Sequence, residues 1–148
     1  MGQKSLSERP LAVTKAYAYA RAAQGCGYSV EVEVKVEPAE YYSSGEIMWP
    51  SSVIVWLTAK DEYLGVMGDR FLAGWRSYRP GQGRNATTRF ITGSRMGLGK
   101  TKEFKNERDF AIWLTMDSYR AQDPAKYGIV PEADRITAPE WTEADWGL

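Results

Sequence analysis

Eight consecutive residues, Val30 to Glu37, constrain the fold more than any other part of the chain. Val30, Val32, Val34 and Val36 alternate there with Glu31, Glu33, Lys35 and Glu37. Successive side chains of an extended strand point to opposite faces, so this spacing separates a β-branched row from a charged row. Such a strand needs a sheet with one face on a core and the other in water, the usual condition of antiparallel sheets. Pro38 ends it, because proline has no N–H to give a ladder.

The remaining elements are placed around that strand. Ser5-Leu6-Ser7-Glu8 fits a capping box ahead of a first helix, with Pro10 in or near its first turn. Leu11 to Ala23 is alanine-rich, with Leu11, Val13, Tyr17 and Ala20 as its apolar side, and Gly25 and Gly27 end it. Residues 39–52 read as a long loop containing Tyr41, Tyr42, Gly45, Trp49 and Pro50. The run Val53-Ile54-Val55-Trp56-Leu57 suits a strand buried on both faces. A turn at Lys60-Asp61 leads into a strand at Tyr63 to Met67. After a turn at Gly68-Asp69, Arg70 to Arg79, broken by Gly74, and Thr87 to Thr92 form a hairpin. Its tip is Pro80-Gly81-Gln82-Gly83-Arg84-Asn85. Gly93 to Gly99 is irregular, and Lys100 to Phe104 reads as a short edge strand. Asn106 caps a second helix with Asp109 at its third position. Phe110, Trp113, Leu114, Met116 and Tyr119 make its stripe, and Gln122-Asp123-Pro124 closes it.

A run of strands between two helices implies an α+β fold. The expectation is an antiparallel sheet of four to five strands flanked by an N-terminal and a C-terminal helix, with an extended C-terminal tail. Residues 1–122 form the single domain, and residues 123–148 an acidic, Trp-containing tail packed back on it. At 148 residues the chain suits one domain.

Composition narrows the chemistry. The chain has no histidine and one cysteine, Cys26. A Cys/His zinc site and His-dependent triads therefore lie out of reach, and no intrachain disulfide can form. No metal site or cofactor is expected. No apolar run approaches the roughly 20 residues that span a bilayer, and no signal core follows Lys4. With a lone thiol, these features point to a soluble protein of the cytoplasm. Gly97-Leu98-Gly99-Lys100-Thr101 lacks the earlier glycine of a phosphate-binding loop, since Ser94 stands there. Glu40, Glu46, Asp61, Glu62 and Asp69 show no spacing that defines a catalytic pair, and Cys26 has no neighbouring base in sequence. No catalytic residue is assigned.

Charge is the most function-like feature. The total is zero, yet residues 66–105 hold nine basic residues against two acidic ones. Residues 31–46 carry five acids and one base, and residues 117–148 seven acids and three bases. In the basic segment Arg70, Arg76, Arg79, Arg84 and Arg89 interleave with Phe71, Trp75, Tyr78 and Phe90. Guanidinium groups that pair phosphates, beside rings that stack on bases, are what a nucleic-acid surface requires. Residues 70–121 resemble AP2-type and integrase arm-type DNA-binding domains in element order alone.

The first expectation is thus a non-catalytic binding protein that engages nucleic acid through Arg70, Trp75, Arg76, Tyr78, Arg79, Arg84 and Arg89. The second is a protein-interaction or inhibitor module, of the kind found as phage or mobile-element accessories. Its partner-binding residues are Tyr41, Tyr42, Trp49, Trp141 and Trp146, since tryptophan is enriched at interface hot spots. A histidine-free enzyme is a third, weaker reading.

Overall fold

The computed structural model describes residues 8–60, 69–80, 88–92, 104–116 and 128–146. The class is α+β. Helix α1 (Leu11–Gly25) is followed by strand β1 (Ser29–Glu37), a small hairpin of β2 (Glu40–Tyr41) and β3 (Ile47–Trp49), then β4 (Ser52–Lys60), β5 (Asp69–Tyr78), β6 (Thr88–Thr92) and helix α2 (Glu107–Met116). The main sheet runs β1-β4-β5-β6, with every neighbouring pair antiparallel. The strand expected at Tyr63 to Met67, the hairpin tip at 81–85 and most of the 100–104 strand fall outside the described residues, as do Gly93 to Gly99 and the closing residues 122–124.

Strand β4 is the axis of the molecule. Its residues Val53, Val55, Leu57 and Ala59 have no solvent exposure and face α1. Opposite them in register stand Val36, Val34, Val32 and Val30 of β1, as the alternation requires. On β5 the same face carries Ala73, Trp75 and Ser77.

Alanine fills the contact side of α1, where Ala12, Ala16, Ala20 and Ala23 are fully buried with Val13, and Tyr19 nearly so. The buried stripe shares Val13 and Ala20 with the one expected and differs from it at the other two positions. Leu11 is half-exposed and Tyr17 only partly buried. Small side chains let a helix backbone sit close to a sheet, so close approach rather than hydrophobic bulk chooses the face. The start of α1 is also set by tertiary structure. The helix begins at Leu11, with Pro10 in the capping position and no side-chain cap of its own. Instead the buried Ser77 hydroxyl on β5 accepts the Ala12 N–H at 2.8 Å. Ser5 and Ser7 lie outside the described residues.

At the other end the expected glycine stop is present. Tyr28 N–H reaches the Ala23 carbonyl and Gly27 N–H that of Gln24, both at 3.1 Å, with Gly27 at φ 90°. This is the paired closure that a left-handed residue after a helix allows. Helix α2 starts as predicted, Asn106 Oδ1 accepting the Asp109 N–H at 2.9 Å. Its Phe110 and Leu114 are fully buried and Trp113 partly so, whereas Ile112 is half-exposed. The two helices do not simply flank the sheet. Helix α1 covers it, and α2 packs on α1 through Tyr19–Phe110 ring contact at 4.9 Å.

Gly74 does not break β5. It runs through the strand beneath the Trp56 ring, where an added Cβ would stand 2.4 Å from the ring's Cε3. Gly74→Ala is expected to cost about 1–3 kcal/mol by overpacking. Denaturant titration of Gly74→Ala, Trp56→Leu and the double variant checks this: the glycine penalty should largely disappear once the indole is gone.

Candidate functional site

Within residues 39–52, expected to be a loop, residues 40–49 form the β2–β3 hairpin between β1 and β4. Pro38 and Pro50 bracket it. Glu40 pairs with Trp49 and Tyr41 with Ile47, with a bulge between the pairs. The turn is Tyr42-Ser43-Ser44-Gly45, closed by Gly45 N–H to the Tyr42 carbonyl at 2.9 Å. Gly45 takes φ 90°, and the Tyr42 N–H then bonds the Glu46 carbonyl at 2.8 Å. A turn followed by a left-handed glycine is a standard way to close a short hairpin. The signal was Ser-Gly between two β-favouring runs, Tyr41-Tyr42 and Ile47-Met48-Trp49.

This hairpin presents the described chain's main apolar exposure. Tyr41 is 57% exposed, Tyr42 52%, Trp49 48% and Met48 37%. The other exposed large apolar residues, Leu11, Val34 and Ile112, are spread over α1, β1 and α2. Clusters of this kind mark contact surfaces, whereas scattered singles do not. Sequence reasoning missed Met48.

Between the hairpin and the sheet face opposite α1 lies a cleft of about 600 Å³. Its lining includes Lys35, Glu37, Glu40, Trp49, Arg76 and Tyr78. Inside it, Arg76 Nη2 stands 3.5 Å from Glu37 Oε2, a loose pair, and the dry Arg76 Nε has no hydrogen-bond partner. Two positive and two negative side chains leave the cleft near neutrality.

The structure divides the residues expected to bind nucleic acid. Trp75 is buried, its ring 5.1 Å from that of Tyr19, so it is a core residue and not a surface stacking platform. Tyr78 is also buried. Arg79 pairs with Glu143 of the tail at 2.9 Å. Arg70 and Arg89 are placed by backbone register alone, Arg89 opposite Arg76. Arg84 lies outside the described residues.

The tail also needs correction. Among its described residues it is not extended throughout, since short 3-10 turns form at Glu132–Asp134 and Glu143–Trp146. It is strapped along α1. Arg9 Nε donates to the Pro139 carbonyl at 2.7 Å, Arg21 to the Ile136 carbonyl at 2.8 Å, and the Ile136 N–H to Gln24 Oε1 at 2.9 Å. Glu132 forms ion pairs with both Arg21 and Arg135. Trp141 and Trp146 are buried, edge to face at 5.8 Å. They are core side chains and not the partner-binding pair expected. Ser51 joins the tail to the hairpin base, its hydroxyl lying 3.1 Å from the Glu37 carbonyl and 3.2 Å from that of Trp146.

Cys26 is buried, and its thiol donates weakly to the Ala111 carbonyl at 3.8 Å. Burial pushes its pKa up, against a smaller opposing pull from Arg135. A protonated, shielded thiol is a poor nucleophile. Among the described residues no group of three or more His, Cys, Asp and Glu side chains could hold a metal ion, and no helix is long and apolar enough to cross a membrane. No protein-family description, curated protein or solved structure matches the chain.

Two outcomes follow from this geometry. Trp146→Ala should cost about 3–5 kcal/mol as a core truncation, while Tyr42→Ser should change stability by no more than about 0.5 kcal/mol. Urea melts of the two variants make the comparison, and equal small effects would return Trp146 to the surface. Cys26 should resist a disulfide reagent at about pH 8 until denaturant is added. Its raised folded pKa adds stability below the thiol's ordinary range. That increment is lost as pH rises through the range, because the unfolded chain ionises first.

Proposed function

We propose that the protein is a non-catalytic binding protein, an interaction module that holds a protein partner through the β2–β3 hairpin. The observation that carries the reading is the cluster of Tyr41, Tyr42, Met48 and Trp49, all more than one third exposed on one short hairpin. Tyrosine, tryptophan and methionine are the side chains enriched where proteins meet, since they offer large contact area at small cost in ordering. The hairpin is closed by backbone bonds and bracketed by prolines, so its rings are held ready. The surrounding segment, residues 31–46, has five acids and one base, which selects a partner with a basic surface.

A photo-crosslinking residue at position 42 tests this in a lysate of cells that make the protein naturally. The expected product is a crosslink to a basic protein, resistant to nuclease and lost in Trp49→Ser. A crosslink indifferent to Trp49, or one abolished by nuclease, would overturn it.

One observation favours the nucleic-acid reading as a second. Arg76 and Arg89 are partners in the β5–β6 backbone register, which places two arginines, the residue type that best holds a phosphate, on adjacent strands. On that reading labelled oligonucleotides bind at low salt, with affinity falling steeply as salt is added. Arg76→Ala should reduce the binding, and no binding at low salt counts against it.

A further inference from the structure

Strand β1 lies at the edge of the main sheet. Among the described residues no strand pairs with its outer side. It pairs with β4 along all nine residues without a register shift, so the edge is long and regular. Proteins usually blunt such an edge with a bulge, a proline, several lysines or an inward-pointing charge. Residues 29–37 contain no proline and one lysine, and every core-side position from 30 to 36 is valine. An edge of this form is a template for strand addition.

The side chains state what kind of strand fits. On the core side Val30, Val32 and Val36 pack against the core, while Val34 is left 37% exposed. A neighbouring apolar side chain would cover Val34. The other row is Glu31, Glu33, Lys35 and Glu37, net negative. A strand that alternates apolar and cationic residues would set apolar groups beside the valines and cations beside the glutamates. A second copy of this chain would instead bring two acidic 31–46 segments together. The edge also runs directly into the hairpin, because β2 begins three residues after β1 ends.

We infer that β1 binds its partner by strand addition, and that the bound segment is an extended stretch of a protein alternating apolar with lysine or arginine residues. This rests on the hairpin reading, since one partner would meet both the edge and the adjoining rings. Affinity comes from main-chain hydrogen bonds along the edge, and choice of partner from the charge row.

The test uses the full-length protein and a fluorescent, amidated nonapeptide alternating lysine and valine, read by anisotropy and by amide hydrogen exchange. Saturable binding is expected, with new protection confined to β1. Backbone N-methylation of alternate peptide residues should weaken binding at least about tenfold, because it removes edge hydrogen bonds and leaves charge intact. Replacing the lysines with glutamate should abolish it, and Glu33→Lys in the protein should weaken it several-fold. Equal binding of the N-methylated peptide, or of one with the same lysines in a block, would overturn strand addition. So would protection that appears away from β1, or a peptide-free dimer joined through β1 by light scattering and exchange. Loss of peptide binding with the position-42 crosslink intact brings down this inference alone. Loss of both brings down the hairpin reading as well.

Discussion

The close seating of α1 on β4 is the contact from which the rest of the molecule is arranged. Four fully buried alanines and Val13 face four fully buried residues of β4, so the helix backbone lies near the sheet. That proximity lets a strand hydroxyl, Ser77, satisfy a helix N–H that no local side chain caps. It also leaves room at one side for a chain of rings. Trp75 packs on Tyr19, Tyr19 on Phe110, and Phe110 on Phe104, which brings α2 onto α1. A larger residue at Ala16 or Ala20 would lift the helix and disturb cap and ring stack together.

With α1 committed to one face, the two faces of the sheet have different fates. The face opposite α1 carries the glutamate row of β1, Trp56 over Gly74, Arg76 beside Glu37, and the buried Ile54 and Tyr78. The β2–β3 hairpin stands at the end of this face and walls the cleft with Trp49. The C-terminal segment, by contrast, has its tryptophans in the core and its backbone tied to Arg9, Arg21 and Gln24.

Charge tells a similar story. Along the chain the basic segment and the two acidic segments look like separate surfaces. In three dimensions Arg76 meets Glu37 from the first acidic segment, and Arg79 meets Glu143 from the second. Both pairs are partly exposed and contribute little to stability. Their effect is on recognition, since a paired guanidinium offers a phosphate less than an open one. The hairpin differs in kind, since what it exposes is chiefly apolar: Tyr41, Tyr42, Met48 and Trp49.

Local chemistry was enough to read several elements from the residues alone. The Val/Glu alternation of β1, the Gly27 stop, the Asn106 cap and the Phe110–Leu114 stripe each depend on neighbours within a few positions, so they survive any tertiary context. The β2–β3 hairpin was legible in principle from Ser44-Gly45 between β-favouring runs, but five strand residues give a short signal beside two prolines. Other features had no local trace. An alanine-rich helix has several nearly equivalent faces, so only the sheet could choose the one holding Ala12, Ala16 and Ala23. Gly74 resembled a break because nothing nearby in sequence announces the Trp56 ring above it. Trp75, Trp141 and Trp146 share a residue type with Trp49, yet three are buried and one is half-exposed. An indole suits a core and an interface equally well, and which it joins depends on the space left by segments distant in the chain.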